Sequence, residues 1–97
     1  MALTINNYQY PIGEDWTPEE VIDVIAFFQA VEQAYGKGIK RAELLKKYKR
    51  FKEIVPGKAD EKRYCNQFEK VSGFSSYHTI KKLRESETDQ KIKMGSD

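Results

Sequence analysis

The chain has 97 residues and a formal net charge of +2, from 17 basic and 15 acidic residues. This length favours one domain with a modest core, and a single cysteine excludes an internal disulfide and favours a reducing compartment. The first residues lack the pattern of a secretory signal peptide, and the longest apolar-rich stretch is too short to span a bilayer. We therefore expect a cytoplasmic protein that does not enter a membrane.

The first segment, residues 1–15, is predicted to be an extended arm. Residues 11–13 (Pro-Ile-Gly) form a turn signal, and Tyr8 and Tyr10 fall at alternating positions. We expect these aromatic side chains to pack on the helices. Trp16, which directly precedes the first helix, is expected to be largely buried.

The first helix has a well-marked start. Thr17 is a favourable N-cap, Pro18 suits the first helical position, and Glu20 completes a capping box. The helix should run to about Tyr35, with Gly36 as a left-handed closing residue. Apolar residues occupy most of its faces, which is typical of a central helix.

Three more helices follow in the predicted order. The second runs from about Arg41 to Ile54, and the third begins near Lys58 and ends at Gly73. The fourth begins after Ser75-Ser76, either of which is a capable N-cap, and should direct Tyr77, Ile80 and Leu83 inward.

These elements predict an all-α fold, a compact array of four helices with an extended N-terminal arm. Residues 1–85 are expected to form a single helical domain. The polar composition of residues 86–97 predicts a disordered or frayed tail.

The charges are unevenly placed. Residues 1–36 carry six acids and no Lys or Arg, whereas residues 37–58 carry nine bases and two acids. Either neighbouring helices of opposite charge attract each other, or a basic surface binds an anionic partner. The candidate contacts for such a partner are Lys46, Lys47, Lys49, Arg50, Lys81, Lys82 and Arg84.

Residues 68–83 also resemble a helix-turn-helix. If Ser76 is the cap, Thr79 and Ile80 occupy positions that such motifs use for reading DNA, and His78 faces a groove or phosphates. Similar short patterns are common in helical proteins, so an ordinary pair of packed helices is the interpretation that we favour.

No catalytic, cofactor-binding or metal-binding residue is predicted. Cys65 lies at core spacing with Tyr64 and Phe68, and buried cysteines usually act as small apolar groups. His78 is the only histidine, whereas a zinc site needs three or four ligands. We expect a protein that is not an enzyme and has no cofactor.

Four segments resemble the YktA-like family of short bacterial proteins, uncharacterised protein family 0223. They are NYQYPI with the following DW, FFQAVEQAY, YKRFKEIVP and SGFSSY, within Asn7 to Leu83. The resemblance implies a compact array of helices and a cytoplasmic protein of Gram-positive bacteria. It implies no known activity, cofactor or active-site residue.

The function is not specified by these features. We expect a small non-enzymatic interaction or regulatory module with a protein partner. The alternative is a regulator that binds nucleic acid, weakly, through the basic helix or the helix-turn-helix-like unit. A contiguous basic face would favour the alternative, whereas bases interleaved with acids would favour the first hypothesis.

Overall fold

The computed structural model describes residues 4–5, 8–87 and 90–94. Four helices account for most of this part of the chain, so the prediction of an all-α fold with four helices is confirmed. They are α1 (Pro18–Tyr35), α2 (Arg41–Ile54), α3 (Lys58–Ser72) and α4 (Ser76–Glu85).

The N-terminal arm packs on the helices, as predicted. It contains two short antiparallel strands, β1 (Thr4–Ile5) and β2 (Tyr8–Gln9). Tyr10 is buried, and its ring stacks on Phe68 of α3 with 6.0 Å between the ring centroids. The Tyr10 hydroxyl donates to the carboxylate of Glu32 in α1 at 2.8 Å, and the Tyr8 hydroxyl donates to the same carboxylate. One carboxylate therefore fastens the arm to α1.

The start of α1 follows the capping-box prediction. The Thr17 hydroxyl accepts a hydrogen bond from the Glu20 backbone N–H, and the Glu20 side chain accepts one from the Thr17 N–H. Trp16 is partly rather than largely buried, and its ring lies 5.0 Å from that of Tyr64. Trp16 lies at the edge of the core because it packs on the outward side of α3, where Tyr64 is itself only partly covered.

The central position of α1 is confirmed by its buried aromatic contacts. Phe27 stacks on Phe51 of α2 at 4.6 Å, and Phe28 stacks on Phe68 of α3 at 4.5 Å. All four rings are fully buried. Stacked aromatic pairs add to the stability that area burial supplies, so these contacts join three helices through one core.

The end of α1 differs from the prediction. Gly36 has φ −96°, and the left-handed residue is Gly38, with φ +96°. The turn after α1 extends to Gly38, because the Gly38 N–H donates to the Gln33 carbonyl at 2.8 Å. The Gln33 side-chain amide in turn donates to the Gly38 carbonyl. A Cβ on Gly38 would lie 2.7 Å from the Lys91 side chain, so glycine also leaves room for the C-terminal segment.

The C-terminal segment is ordered where the sequence predicted a disordered or frayed tail. Strand β3 (Ile39–Lys40) pairs with β4 (Lys91–Ile92) in antiparallel register, and Ile92 is fully buried in the core. The Met94 N–H also donates to the Ala34 carbonyl at 2.7 Å. The tail prediction is therefore wrong for residues 90–94, because one apolar side chain and a few backbone hydrogen bonds hold a mostly polar segment. Residues 88–89 and 95–97 lie outside the described part of the chain.

The inner face of α4 differs from the prediction by one residue. Ser75 is the N-cap, and its hydroxyl accepts a hydrogen bond from the His78 N–H. The buried stripe then consists of Ser76, Thr79, Ile80 and Leu83, at helical spacing. Tyr77 falls outside this stripe and is 67% exposed.

Candidate functional site

A groove of about 800 Å³ lies between α3 and α4. One wall is the exposed face of α3 and the other is α4 from its first turn onward, and Tyr48 of α2 also lines the groove. The groove forms because α3 ends at Gly73, whose φ of +83° turns the chain sharply back towards α4. This groove contains both Cys65 and His78, together with two of the predicted anion contacts, Lys81 and Arg84.

A chain of polar contacts links three helices at the groove. Glu61 of α3 accepts hydrogen bonds from the Tyr48 hydroxyl at 2.9 Å and from Lys52 at 2.7 Å. Arg84 of α4 donates to the Tyr48 hydroxyl at 3.2 Å, and its guanidinium lies over the Tyr48 ring. Burial, with Glu61 adding to it, raises the pKa of Tyr48 to about 12, so this hydroxyl stays protonated at neutral pH.

Sequence reasoning missed this contact chain. From the sequence, Tyr48 falls at core spacing in α2, and Glu61 is a favourable charge in the first turn of α3. The signal that could have shown it is the tyrosine hydroxyl, which usually needs a partner when the ring is buried. The acidic partner, however, comes from another helix, and its identity depends on how α2 and α3 pack.

Cys65 and His78 both line the groove, but no hydrogen bond joins them in the described part of the chain. The His78 ring Nδ1 is hydrogen-bonded to the Ser75 hydroxyl at 2.8 Å. Burial raises the pKa of the Cys65 thiol to about 12, with Glu61 adding to the rise and the Ser76 hydroxyl and Lys52 opposing it. A thiol with this pKa is protonated at neutral pH and is a poor nucleophile.

Ser76 lines the groove beside Cys65. Its side chain is almost fully buried, and its hydroxyl oxygen makes no conventional hydrogen bond within the described residues. The nearby Cys65 sulfur interacts with it only weakly, since thiols are poor hydrogen-bonding groups. A buried hydroxyl without a good partner is costly, so its position at the groove is notable.

The seven predicted anion contacts lie in different environments. Arg50 donates to Asp23 of α1 at 2.8 Å and to Glu53 at 3.2 Å, so acidic and basic helices do attract each other at this point. Lys82 donates to the Lys93 carbonyl and holds the segment that follows β4. Lys81 and Arg84 line the groove. The other three are lysines of α2, and of these Lys46 and Lys49 are exposed and Lys47 is partly buried.

The structure does not place the helix-turn-helix residues as that interpretation requires. Thr79 is fully buried, and Ile80 is 7% exposed. The Thr79 hydroxyl donates to the Ser75 carbonyl inside the protein. Side chains that contact bases must reach the surface, so the interpretation is wrong for these two residues. Both residues belong to the buried face of α4, which also contains Ser76 and Leu83.

The described ranges contain neither a cluster of metal-ligating side chains nor a membrane-spanning helix. No group of three or more His, Cys, Asp or Glu side chains there is arranged to hold a metal ion. None of the helices in residues 4–5, 8–87 and 90–94 combines the length and hydropathy needed to cross a membrane.

The comparisons with known proteins identify the chain's relatives. A family model described as "Uncharacterised protein family (UPF0223)" matches residues 7–93. The UPF0223 protein YktA of Bacillus subtilis is 64% identical over 87 residues, which cover 90% of this chain and 98% of that protein. A UPF0223 protein of Lysinibacillus sphaericus is 47% identical over 87 residues, covering 90% and 92% of the two chains. The resemblance noted from four segments is confirmed, and the family match extends beyond them into β4.

Proposed function

The chain belongs to uncharacterised protein family 0223, and we propose that it is a non-enzymatic interaction module that binds a protein partner in the groove between α3 and α4. The observation that carries this proposal is the groove itself, whose walls bring bases and acids together around partly apolar surface. Clefts of this size commonly hold ligands or partner side chains. Tyr77 lies at this groove and is 67% exposed, and exposed tyrosines are frequent in protein interfaces.

The proposal that the protein is not an enzyme is supported by the state of the groove's reactive groups. The Cys65 thiol has a raised pKa, and the His78 Nδ1 is bonded to Ser75 rather than to that thiol. We also propose that the protein works in the cytoplasm, which is supported by a single free cysteine in a chain of this size.

Site-specific photo-crosslinking in Bacillus subtilis cells tests the interaction module. The groove variant is Tyr77→p-benzoylphenylalanine, and the matched control is Ile22→p-benzoylphenylalanine, since Ile22 on α1 is 65% exposed and does not line the groove. We expect a recurrent protein adduct from position 77 that is absent from position 22. Equal adducts at both positions, or nucleic-acid adducts alone, would contradict the proposal.

One observation favours the alternative, a regulator that binds nucleic acid. Lys46, Lys47 and Lys49 make no ion pair within the part of the chain that the structure describes, so they are free to contact phosphates. Affinity for duplex DNA would then fall with salt, with a log–log slope of about −0.9 for each phosphate contacted. Replacing the three lysines with glutamine should flatten that slope. We expect only weak binding to DNA, and only at low salt, because acidic side chains such as Asp23 and Glu53 lie near this helix face and repel phosphates.

A further inference from the structure

We propose, building on the function proposed above, that the groove between α3 and α4 receives an acidic peptide segment.

The groove walls carry an excess of free positive charge. Lys58 and Lys62 of α3 and Lys81 of α4 make no ion pair or hydrogen bond with any described residue. Arg84 adds a fourth cation, whose contacts are to the uncharged Tyr48 side chain.

The acids of the groove offset only part of this charge. Glu61 is already paired with Lys52 and accepts from Tyr48, which leaves Glu69 and Glu85 as the unpaired carboxylates among the described lining residues. Four cations thus face two free carboxylates. Complementary charge sets the preferred partner and its rate of encounter, so the groove favours an anionic ligand.

The start of α4 offers hydrogen-bond donors for one anionic group. The Ser75 side chain satisfies the His78 N–H, but the backbone N–H groups of Ser76 and Tyr77 have no acceptor in the described part of the chain. No acidic side chain occupies the first turn of this ten-residue helix. Unsatisfied N–H groups and the helix dipole together favour an anion at this position.

The surface favours a peptide over a nucleic acid. Ile80, Cys65 and the exposed Tyr77 ring give the groove apolar surface suited to a side chain that follows or precedes a carboxylate. Glu69 and Glu85 would repel a continuous phosphate backbone, whereas a peptide can place its carboxylates near the lysines and its neutral residues near the glutamates.

Phage display with random short peptides tests the proposal on the whole protein. We expect selected peptides to be enriched in Asp and Glu beside an apolar residue. The synthetic peptide of the best clone should bind about tenfold more weakly when its acids become Asn and Gln, or when the protein carries Lys62→Gln and Lys81→Gln. The matched control, Lys46→Gln with Lys49→Gln, removes the same charge from α2 and should leave the affinity unchanged.

Amide NMR separates the proposed site from general attraction to a basic protein. The peptide should shift the backbone amide signals of Ser76 and Tyr77 more than those of α2, and circular dichroism should show that all variants are folded. The inference is overturned if selection yields no peptides or yields neutral or basic ones, or if both double variants bind equally. A Tyr77 adduct with a protein would still support the interaction module in that case, whereas nucleic-acid adducts alone would overturn both proposals.

Discussion

Replacement of Ile92 by alanine is the sharpest test of the fold, because a frayed tail and a core strand predict different results. Ile92 is fully buried in β4, which pairs with β3. Removing a buried isoleucine side chain costs about 2–5 kcal/mol, from lost burial and the cavity left behind. A domain of this size has a free energy of unfolding of about 5–15 kcal/mol. Ile92→Ala should therefore remove a large share of the stability.

Urea unfolding followed by circular dichroism measures this loss. We expect a lower midpoint with an unchanged slope, and a melting temperature lower by about 10 °C or more. The neighbouring exposed variant Lys93→Ala should change stability by less than about 0.5 kcal/mol. A chain that ends at Glu87 should lose at least as much as Ile92→Ala does. The reasoning is refuted if Ile92→Ala and Lys93→Ala unfold at the same urea concentration.

Three further predictions concern other parts of the molecule. Gly38→Ala should cost about 1–3 kcal/mol, because Gly38 has φ +96°. Gly57→Ala should be tolerated, because Gly57 has the ordinary extended conformation of φ −76° and ψ 134° and an added Cβ would lie 3.6 Å from its nearest neighbour; equal losses in thermal melts would contradict this. Truncating a fully buried tryptophan to alanine lowers the free energy of unfolding by about 3–5 kcal/mol. Trp16→Ala should cost less than this, because Trp16 is only partly covered against Tyr64. Urea unfolding followed by circular dichroism measures the loss, and a value of about 5 kcal/mol would contradict the partial burial. The raised pKa of Cys65 means that the folded protein keeps this proton after the unfolded chain has lost it, so stability should fall as pH rises from about 9 to 12. Melting temperatures of Cys65→Ala across this range should fall less steeply, and identical profiles would argue against the shift.

The parts of the fold that sequence reasoning predicted well are those encoded locally. Thr17 and Glu20 lie three positions apart, so the capping box of α1 is visible without knowledge of any other element. Gly73 ends α3 in the left-handed conformation for the same local reason. The apolar character of α1 on most faces similarly indicated its central position, which the stacked phenylalanine rings confirm.

The parts that it missed depend on contacts between distant residues. Strand β4 has two residues, which is too short to show a period, and its pairing with β3 becomes apparent only in three dimensions. Ile80 and Leu83 of α4 are buried as predicted, whereas Tyr77 lies at the surface. The residues that complete the buried stripe, Ser76 and Thr79, are set by how α4 packs on the other helices. The groove depends on the separation of α3 and α4, so no single segment encodes it.

The pairing of β3 with β4 has a consequence for how the protein is made. A ribosome releases the chain from its amino terminus, so Ile39 and the Ala34 carbonyl emerge long before the segment that covers them. The four helices can form early, but this side of the core stays open until residues 90–94 have been synthesised. We expect the native state to be completed only after these residues have been synthesised, which leaves chains stalled before this point open to proteases.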